Sequence, residues 1–321
     1  MTQAQLVTAA TGAALLAHKR YGIDRTKRVA VFDVLRRAAG EVFFRPLKKI
    51  CGAYLPLKDC PPGVLINSNL PLSRQRYTAA HEFGHLFLNH SVVSVDKMTG
   101  ISFEERSKWT DEENIAETFA AFFLMPQGLI EGSLRELNIT ALTPEAAYLL
   151  SLKMGTSYQA TVNHLQTLRK LNASQAAHFR KVKPKQIKSE ISEHVAAKHD
   201  VWVLDEHWNG QQVFPAVADT IVIHLPEIPT SGYTWMWQQD PGLLSMIDDT
   251  FVDESDAAIG GERVREIVLE VSSGGTSDRI SLVRRQPWDM DGEPSALFSV
   301  DLVPQETKRS GPLVLPTLQL N

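Results

Sequence analysis

The five residues His81-Glu82-Phe83-Gly84-His85 constrain this chain more than any other stretch, because they make chemical sense only on a helix with one buried face. Residues four apart share a helix face, so the two imidazoles can reach one Zn²⁺ at about 2.0–2.1 Å. Ala79 and Ala80 before them and Leu86, Phe87 and Leu88 after them supply the apolar surface that buries such a helix. Glu82 then lies beside the open coordination position. There it is a candidate general base, taking a proton from an attacking water and returning it to a leaving amine.

A catalytic zinc of this kind needs a third protein ligand from another element. Glu113 stands 28 residues beyond His85, on a helix expected over Asp111–Leu124 and stopped by Pro126, with Glu117 one turn further on the same face. The pair reads as ligand and orienter: Glu113 is assigned to the metal and Glu117 to the free N–H of an imidazole, with the reverse division left open. Asp111 and Glu112 are expected to complement the helix dipole. Cys60, and with it Cys51, flanks a turn-rich segment ahead of the metal helix. A thiolate there could block the open position, or both could simply be small half-buried residues.

Around these helices the pattern changes period several times. Leu6–His18 and a stretch around Val31, Val34 and Leu35 read as helical, Glu41–Phe44 and Val64–Ile66 as short strands, and Ser73–Leu88 as the metal helix. Pro46, Gly52, Pro56, Pro61 and Pro62 mark the intervening region as edge and turn. Between Thr143 and Leu171 two short helices, separated by Gly155 and Ser157, have the spacing of a helix-turn-helix, and Lys153, Arg169 and Lys170 could meet DNA phosphates. The stripe Val162, Leu165, Leu168 and Leu171 favours packing over DNA. His178–Lys188, with five basic residues around Pro184, reads as a solvated linker. Alternating runs at Thr220–His224, Val264–Val271 and Leu297–Leu302 then predict an all-β sandwich.

A chain of 321 residues with 43% apolar content can bury two or three cores, and a net charge of −4 exerts no global pull toward nucleic acid or anionic lipid. Leu6–His18 is too short and polar to cross a bilayer, so no membrane association is expected. Two cysteines and no recognisable secretory segment predict a reduced compartment, the cytoplasm.

Gly63–Asn69, Arg74–His85 and Phe119–Pro126, in that order, resemble the ImmA/IrrE metallopeptidase family over roughly residues 28–175. The resemblance implies a reduced zincin that makes limited cuts in helix-turn-helix transcriptional repressors. The family's Glu-x-x-x-Asn or Glu-x-x-x-Asp pattern appears as Glu113 to Glu117, and Tyr54 or Tyr77 could stabilise an oxyanion.

Further on, Pro229–Trp235, Ile259-Gly260-Gly261 and Gln286-Pro287-Trp288 fall on three loops and resemble the chagasin-type cysteine-peptidase inhibitors over about residues 195–305. That implies an immunoglobulin-like sandwich whose loops, through Gly232, Tyr233, Gly260, Gly261 and Trp288, meet a protein partner or a peptidase. The sequence departs from the family at Ile228, Ala258 and Gln286, where the family has Asn, Gly and Arg. Trp235 is expected in the core and Trp288 outside it.

The expected architecture is α+β: a zincin-like peptidase core over residues 1–127, a helical, helix-turn-helix-like extension and basic linker over 128–188, and the sandwich over 189–321. The expected function is zinc-dependent endoproteolysis of a repressor, with the β domain as recognition or sensor module. A DNA-binding regulator with an inactive peptidase fold and an inhibitor of cysteine peptidases are the alternatives.

Overall fold

The computed structural model describes residues 2–56, 62–90, 94–97, 109–191, 199–239, 242–252, 261, 263–274, 277–305 and 311–312; Cys60, Ala258, Ile259 and Gly260 lie outside them. In chain order the first elements are α1 Gln3–Tyr21, α2 Val31–Ala38, β1 Glu41–Arg45, β2 Ile50–Leu55, β3 Gly63–Asn67, α3 Leu72–Phe87, β4 Ser94–Lys97 and α4 Asp111–Leu124. The helices α5 Gln127–Glu136, α6 Pro144–Met154, α7 Tyr158–Thr167, α8 Ala173–Lys181 and α9 Pro184–Ile191 follow. Then come the strands β5 Val201–Leu204, β6 Gln212–Val213, β7 Thr220–Glu227, β8 Thr234–Trp237, β9 Leu244–Val252, β10 Arg263–Val271, β11 Asp278–Arg285, β12 Ala296–Leu302 and β13 Gly311–Pro312. Two compact units result: residues 1–133, 154–177 and 308–321 form one, and residues 134–153 with 178–307 form the other. Among the described residues no helix is long and apolar enough to cross a membrane.

Local chemistry sets the helix ends of the first unit. Thr2 and Gln5 form a reciprocal capping box at the start of α1, and Gly22 at φ 65° closes it in the left-handed region. Thr110 caps α4 by accepting from the Glu113 N–H, with three acids in the first turn. The sheet runs β13-β1-β3-β2-β4, with β1 parallel to β3 and β2 antiparallel to both its neighbours. Asn67 holds the β1–β2 turn: its amide donates to the carbonyls of Leu47 and Ile50, and its Oδ1 accepts from Leu47 N–H.

Strand β2 replaces what reads in sequence as turn. Gly52 is there for space rather than for a bend, since a Cβ would stand 2.4 Å from the Thr78 methyl and 2.8 Å from the Leu65 carbonyl. The missing side chain lets α3 lie close on β2.

The C-terminal end of α4 is fixed by two buried imidazoles. His18 Nε2 meets the Phe123 carbonyl and His164 Nε2 the Met125 carbonyl, both at 2.9 Å. A carbonyl only accepts, so both Nε2 atoms carry hydrogen. Burial lowers the pKa of His18, and that of His164 to about 4 against the opposing pull of its hydrogen bond. Between about pH 6.5 and pH 4 the unfolded chain therefore binds more protons at His164, so stability falls as pH drops through that window. The expected loss from His164 alone between pH 7.5 and pH 5 is about 2 kcal/mol. Urea titrations of the parent and His164→Gln, whose amide can donate to the same carbonyl without titrating, check this; parallel pH profiles would count against it.

In the second unit two four-stranded sheets, β5-β7-β10-β9 and β6-β12-β11-β8, face each other across one apolar core. Trp202, Ile221, Ile223, Ile267 and Leu269 from the first meet Trp235, Ile280, Leu282, Phe298 and Val300 from the second. Trp235 is in this core, as its sequence context predicts. Leu137 belongs to the same cluster, and Ile139 and Leu152 pack against it.

The stretch His178–Lys188 differs from the expected solvated linker. It lies largely in α8 and α9, and Phe179, Ile187 and Lys188 are buried. Lys188 Nζ pairs with Asp200 at 2.7 Å and donates to the His199 carbonyl. Asp200 also accepts from Tyr148 OH at 3.1 Å, and that hydroxyl accepts from Val201 N–H. Burial, and then the charge of Asp200, raise the Tyr148 pKa. A buried lysine held by a carboxylate and a backbone carbonyl is an anchor, not a linker residue.

The two helices with helix-turn-helix spacing fall in different units, residues 144–153 in one and α7 in the other. Lys153 is buried and bonded to Glu136 at 2.8 Å and Gln211 at 3.1 Å, and Lys170 pairs with Glu131 at 3.1 Å. Two of the three charges proposed for DNA phosphates are thus already neutralised.

Candidate metal centre

Helix α3 carries His81, Glu82 and His85, all buried, and packs between the sheet and α4. The approach of α4 depends on Gly84, where a Cβ would stand 3.0 Å from the Phe119 ring and 3.3 Å from Ala116 Cα. Ala116 and Phe119 flank Glu117 on α4, so the same close contact that Gly84 permits brings α4's acids to the histidines. Arg76, one turn before the motif, is buried and donates to the carbonyls of Gly155 and Val29, which fixes α3 at its other end.

Three donor atoms converge. His81 Nε2 lies 3.1 Å from Glu113 Oε2 and 3.2 Å from His85 Nε2, and His85 Nε2 lies 3.6 Å from Glu113 Oε2. Among the described residues this is the one cluster of three such side chains that could hold a metal ion. Glu117 stands apart from it, its Oε2 3.6 Å from His81 Nδ1, the ring nitrogen turned away from the cluster. Glu113 thus lies within the donor cluster and Glu117 outside it. Glu82 is fully buried, and its Oε1 is 3.1 Å from where a Cβ on Gly52 would sit, so its carboxylate lies against β2.

The two tyrosines separate. Tyr54 on β2 stacks parallel to the His85 ring, centroids 6.4 Å apart, and burial raises its phenol pKa. Tyr77 points its hydroxyl at the Glu117 carbonyl, 3.3 Å away, which ties α3 to α4. Cys51 is buried, with its sulfur 3.5 Å from an Arg74 nitrogen.

One neighbour of the cluster was not singled out in sequence. His90 Nδ1 lies 2.8 Å from His85 Nδ1. Asn89, at φ 56° just past the end of α3, turns the chain back, and His90 N–H closes on the His85 carbonyl at 3.0 Å. An Asn directly after a helical run is the signal that could have pointed to this return.

In the second unit the loop residues form a separate exposed group. Trp288 is 73% exposed, and its ring edge lies against Gly232, which sits at φ 77° and where a Cβ would be 2.6 Å from that ring. Tyr233 and Ile228 are exposed beside them, whereas Gly261 is half-buried. Side chains tie the root of the Gly232 loop. Arg265 grips Asp249 with two bonds of 2.7 and 2.8 Å and donates to the Trp235 carbonyl, and buried Glu227 accepts from Thr234 and Trp235 N–H. Hydrogen bonds to Asp249 raise the Arg265 pKa further.

Residues 36–163 match the family described as IrrE N-terminal-like domain, peptidase M78, and residues 215–302 match the chagasin family of peptidase inhibitors, I42. No curated protein matches the chain. Among solved structures it is similar to the cysteine protease inhibitor EhICP2 from Entamoeba histolytica, at 23% identity over 33% of this chain and 97% of that one, with a TM-score of 0.30. Amebosin is similar at 21% identity over 33% and 98%, TM-score 0.28, and PbICP-C, solved with falcipain-2, at 11% over 35% and 94%, TM-score 0.20.

Proposed function

We propose that this chain, which joins a peptidase M78-like domain to a chagasin-like domain, is a zinc-dependent endopeptidase that makes limited cuts in a protein, with a helix-turn-helix repressor as the substrate class. One observation carries the reading. A tetrahedral zinc with donors at about 2.0–2.1 Å has donor–donor edges of about 3.3–3.4 Å, and the three separations in the cluster, 3.1, 3.2 and 3.6 Å, straddle that value. The donor set, two imidazoles and one carboxylate, suits Zn²⁺ and leaves a fourth position for chemistry.

A bound Zn²⁺ would supply Lewis acidity, making water more acidic and a scissile carbonyl more electrophilic. Glu82 takes the proton from the attacking water as the new C–O bond forms, and then delivers it to the departing amine as the peptide C–N bond breaks. Glu117, its carboxylate 3.6 Å from His81 Nδ1, is the group placed to orient that ring. Tyr54, beside His85, is the better placed of the two tyrosines to meet a developing oxyanion. The repressor substrate rests on the family likeness alone. It is tested by co-expressing the full chain with candidate repressors and watching for one that shortens only while Glu82 is intact.

For the chagasin-like domain we read an immunoglobulin-like sandwich that recognises a protein. Exposed Trp288, its ring edge against Gly232, favours that reading, because a large exposed aromatic makes a strong interface anchor. A cysteine peptidase is the second candidate partner. If it is the partner, Trp288→Ala in the full chain should weaken inhibition of papain at least about 30-fold, the loss of an interface anchor. Papain inhibition unchanged by the substitution would remove Trp288 from the interface, and no inhibition by the parent would remove the peptidase reading. The pairing of Lys153 and Lys170 within the protein leaves DNA without support, and a cytoplasmic setting fits a repressor substrate.

A further inference from the structure

We propose that His90 is a positioning residue for the metal centre: its Nδ1 accepts a hydrogen bond from His85 Nδ1–H and so fixes the tautomer and ring orientation that turn the His85 Nε2 lone pair to the metal. The inference rests on the metal-site reading above and adds to it a group outside the set of ligands.

The geometry leaves little choice of roles. Two ring nitrogens 2.8 Å apart need one hydrogen and one lone pair between them. His85 Nε2 faces His81 Nε2 and Glu113, so as a ligand it must be unprotonated, and a neutral imidazole then carries its hydrogen on Nδ1. His90 Nδ1 is therefore the acceptor, and the His90 hydrogen sits on Nε2. His90 is not a further ligand. It meets His85 at the nitrogen that points away from the cluster, and the cluster able to hold an ion consists of His81, His85 and Glu113.

The return of the chain that sets up this contact is local. Asn89 takes the left-handed conformation, which Asn tolerates better than most residues, and the His90 N–H to His85 C=O bond locks the backbone. The two rings then stand edge to face, 4.9 Å between centroids at 73°. At its second nitrogen His85 thus meets an imidazole at 2.8 Å, where His81 has a carboxylate 3.6 Å away. The difference has an electrostatic reason. The centre already has the three carboxyl side chains of Glu82, Glu113 and Glu117, and an imidazole acceptor orients His85 without adding a fourth.

Zinc affinity of the full chain, measured by competition with a chromogenic chelator, tests this independently of any cleavage. His90→Ala should bind zinc about 10- to 100-fold more weakly than the parent, the usual effect of losing a group that orients a metal ligand. His90→Asn, whose Oδ1 can stand near the place of Nδ1, should recover most of the loss, a rescue that a purely packing role would not give. His90→Phe keeps the ring contact without the acceptor and should behave as His90→Ala. Imidazole nitrogen NMR of the zinc-loaded parent gives a reading that depends on no variant folding: His90 in the Nε2–H form and His85 with hydrogen on Nδ1 support the inference. Parent-like affinity in His90→Ala, or His90 in the Nδ1–H form, overturns it. A parent chain that binds no zinc would instead fail the metal reading itself, and the inference with it.

Discussion

Glu82→Gln is expected to hold its zinc and to lose cleavage by about 10²–10⁴-fold, the usual share of a positioned general base. Glu82 is fully buried between α3 and β2, in a space so close that Gly52 has no room for a Cβ. Glutamine has the shape of glutamate and fits that space, so α3 and the three donor atoms should stay where they are. What the amide lacks is the ability to take a proton from the attacking water and give it to the leaving amine. Substrate binding does not need that proton, so the variant should retain its target and could be used to capture it from a mixture. The comparison is made under conditions in which the parent cuts, with zinc measured in both proteins. Equal rates with equal zinc would remove Glu82 from the role of base.

Much of this centre can be read from the sequence because its signals are local. The i, i+4 spacing of His81 and His85 and the apolar residues around them define α3, and Thr110, Asp111 and Pro126 bound α4, whose bounds Asp111–Leu124 agree with expectation. Glu113 could be found because a helix with acids at its start lies a short way beyond the motif. The closeness of that helix is legible only with hindsight: Gly84 looks like a helix weakness until Phe119 is seen against it.

What could not be read depends on contacts made at a distance. Gly52 among prolines looks like turn, because glycine serves bends and close approaches equally, and only the Thr78 methyl and Leu65 carbonyl decide between them. The run from His178 to Lys188 looks solvated because its apolar residues are sparse. Yet Phe179 and Ile187 are buried and Lys188 finds Asp200, a partner 12 positions on. His90 escaped notice because it lies beyond the helical pattern and returns only through the backbone of Asn89. In the second unit the alternating strands were plain, and so was the contrast between buried Trp235 and exposed Trp288. That Leu137 joins the same core was not, since nothing in a helix names the sheet it will cover.

The paired substitution His81→Ala, His85→Ala should abolish zinc binding, taking the full chain from one equivalent to none. Glu113 would then be the sole remaining member of the donor set, and its side chain is 29% exposed, so water competes for it. One half-buried carboxylate does not hold zinc against a chelator. The same logic predicts a thermal signature. Zinc that binds the folded centre and not the unfolded chain adds about 2.7 kcal/mol at a hundredfold excess over its Kd. Chelation should therefore lower the unfolding temperature of the parent and leave that of the double variant unchanged. The double variant should also start lower than the metal-free parent, because two buried rings have been replaced by cavities beside Tyr54 and Glu117. Metal analysis after dialysis, together with melting curves with and without chelator, decides the matter. A full equivalent of zinc retained by the double variant would place the ion elsewhere, and a parent whose melting ignores both zinc and chelator would leave the His81, His85 and Glu113 cluster without a metal.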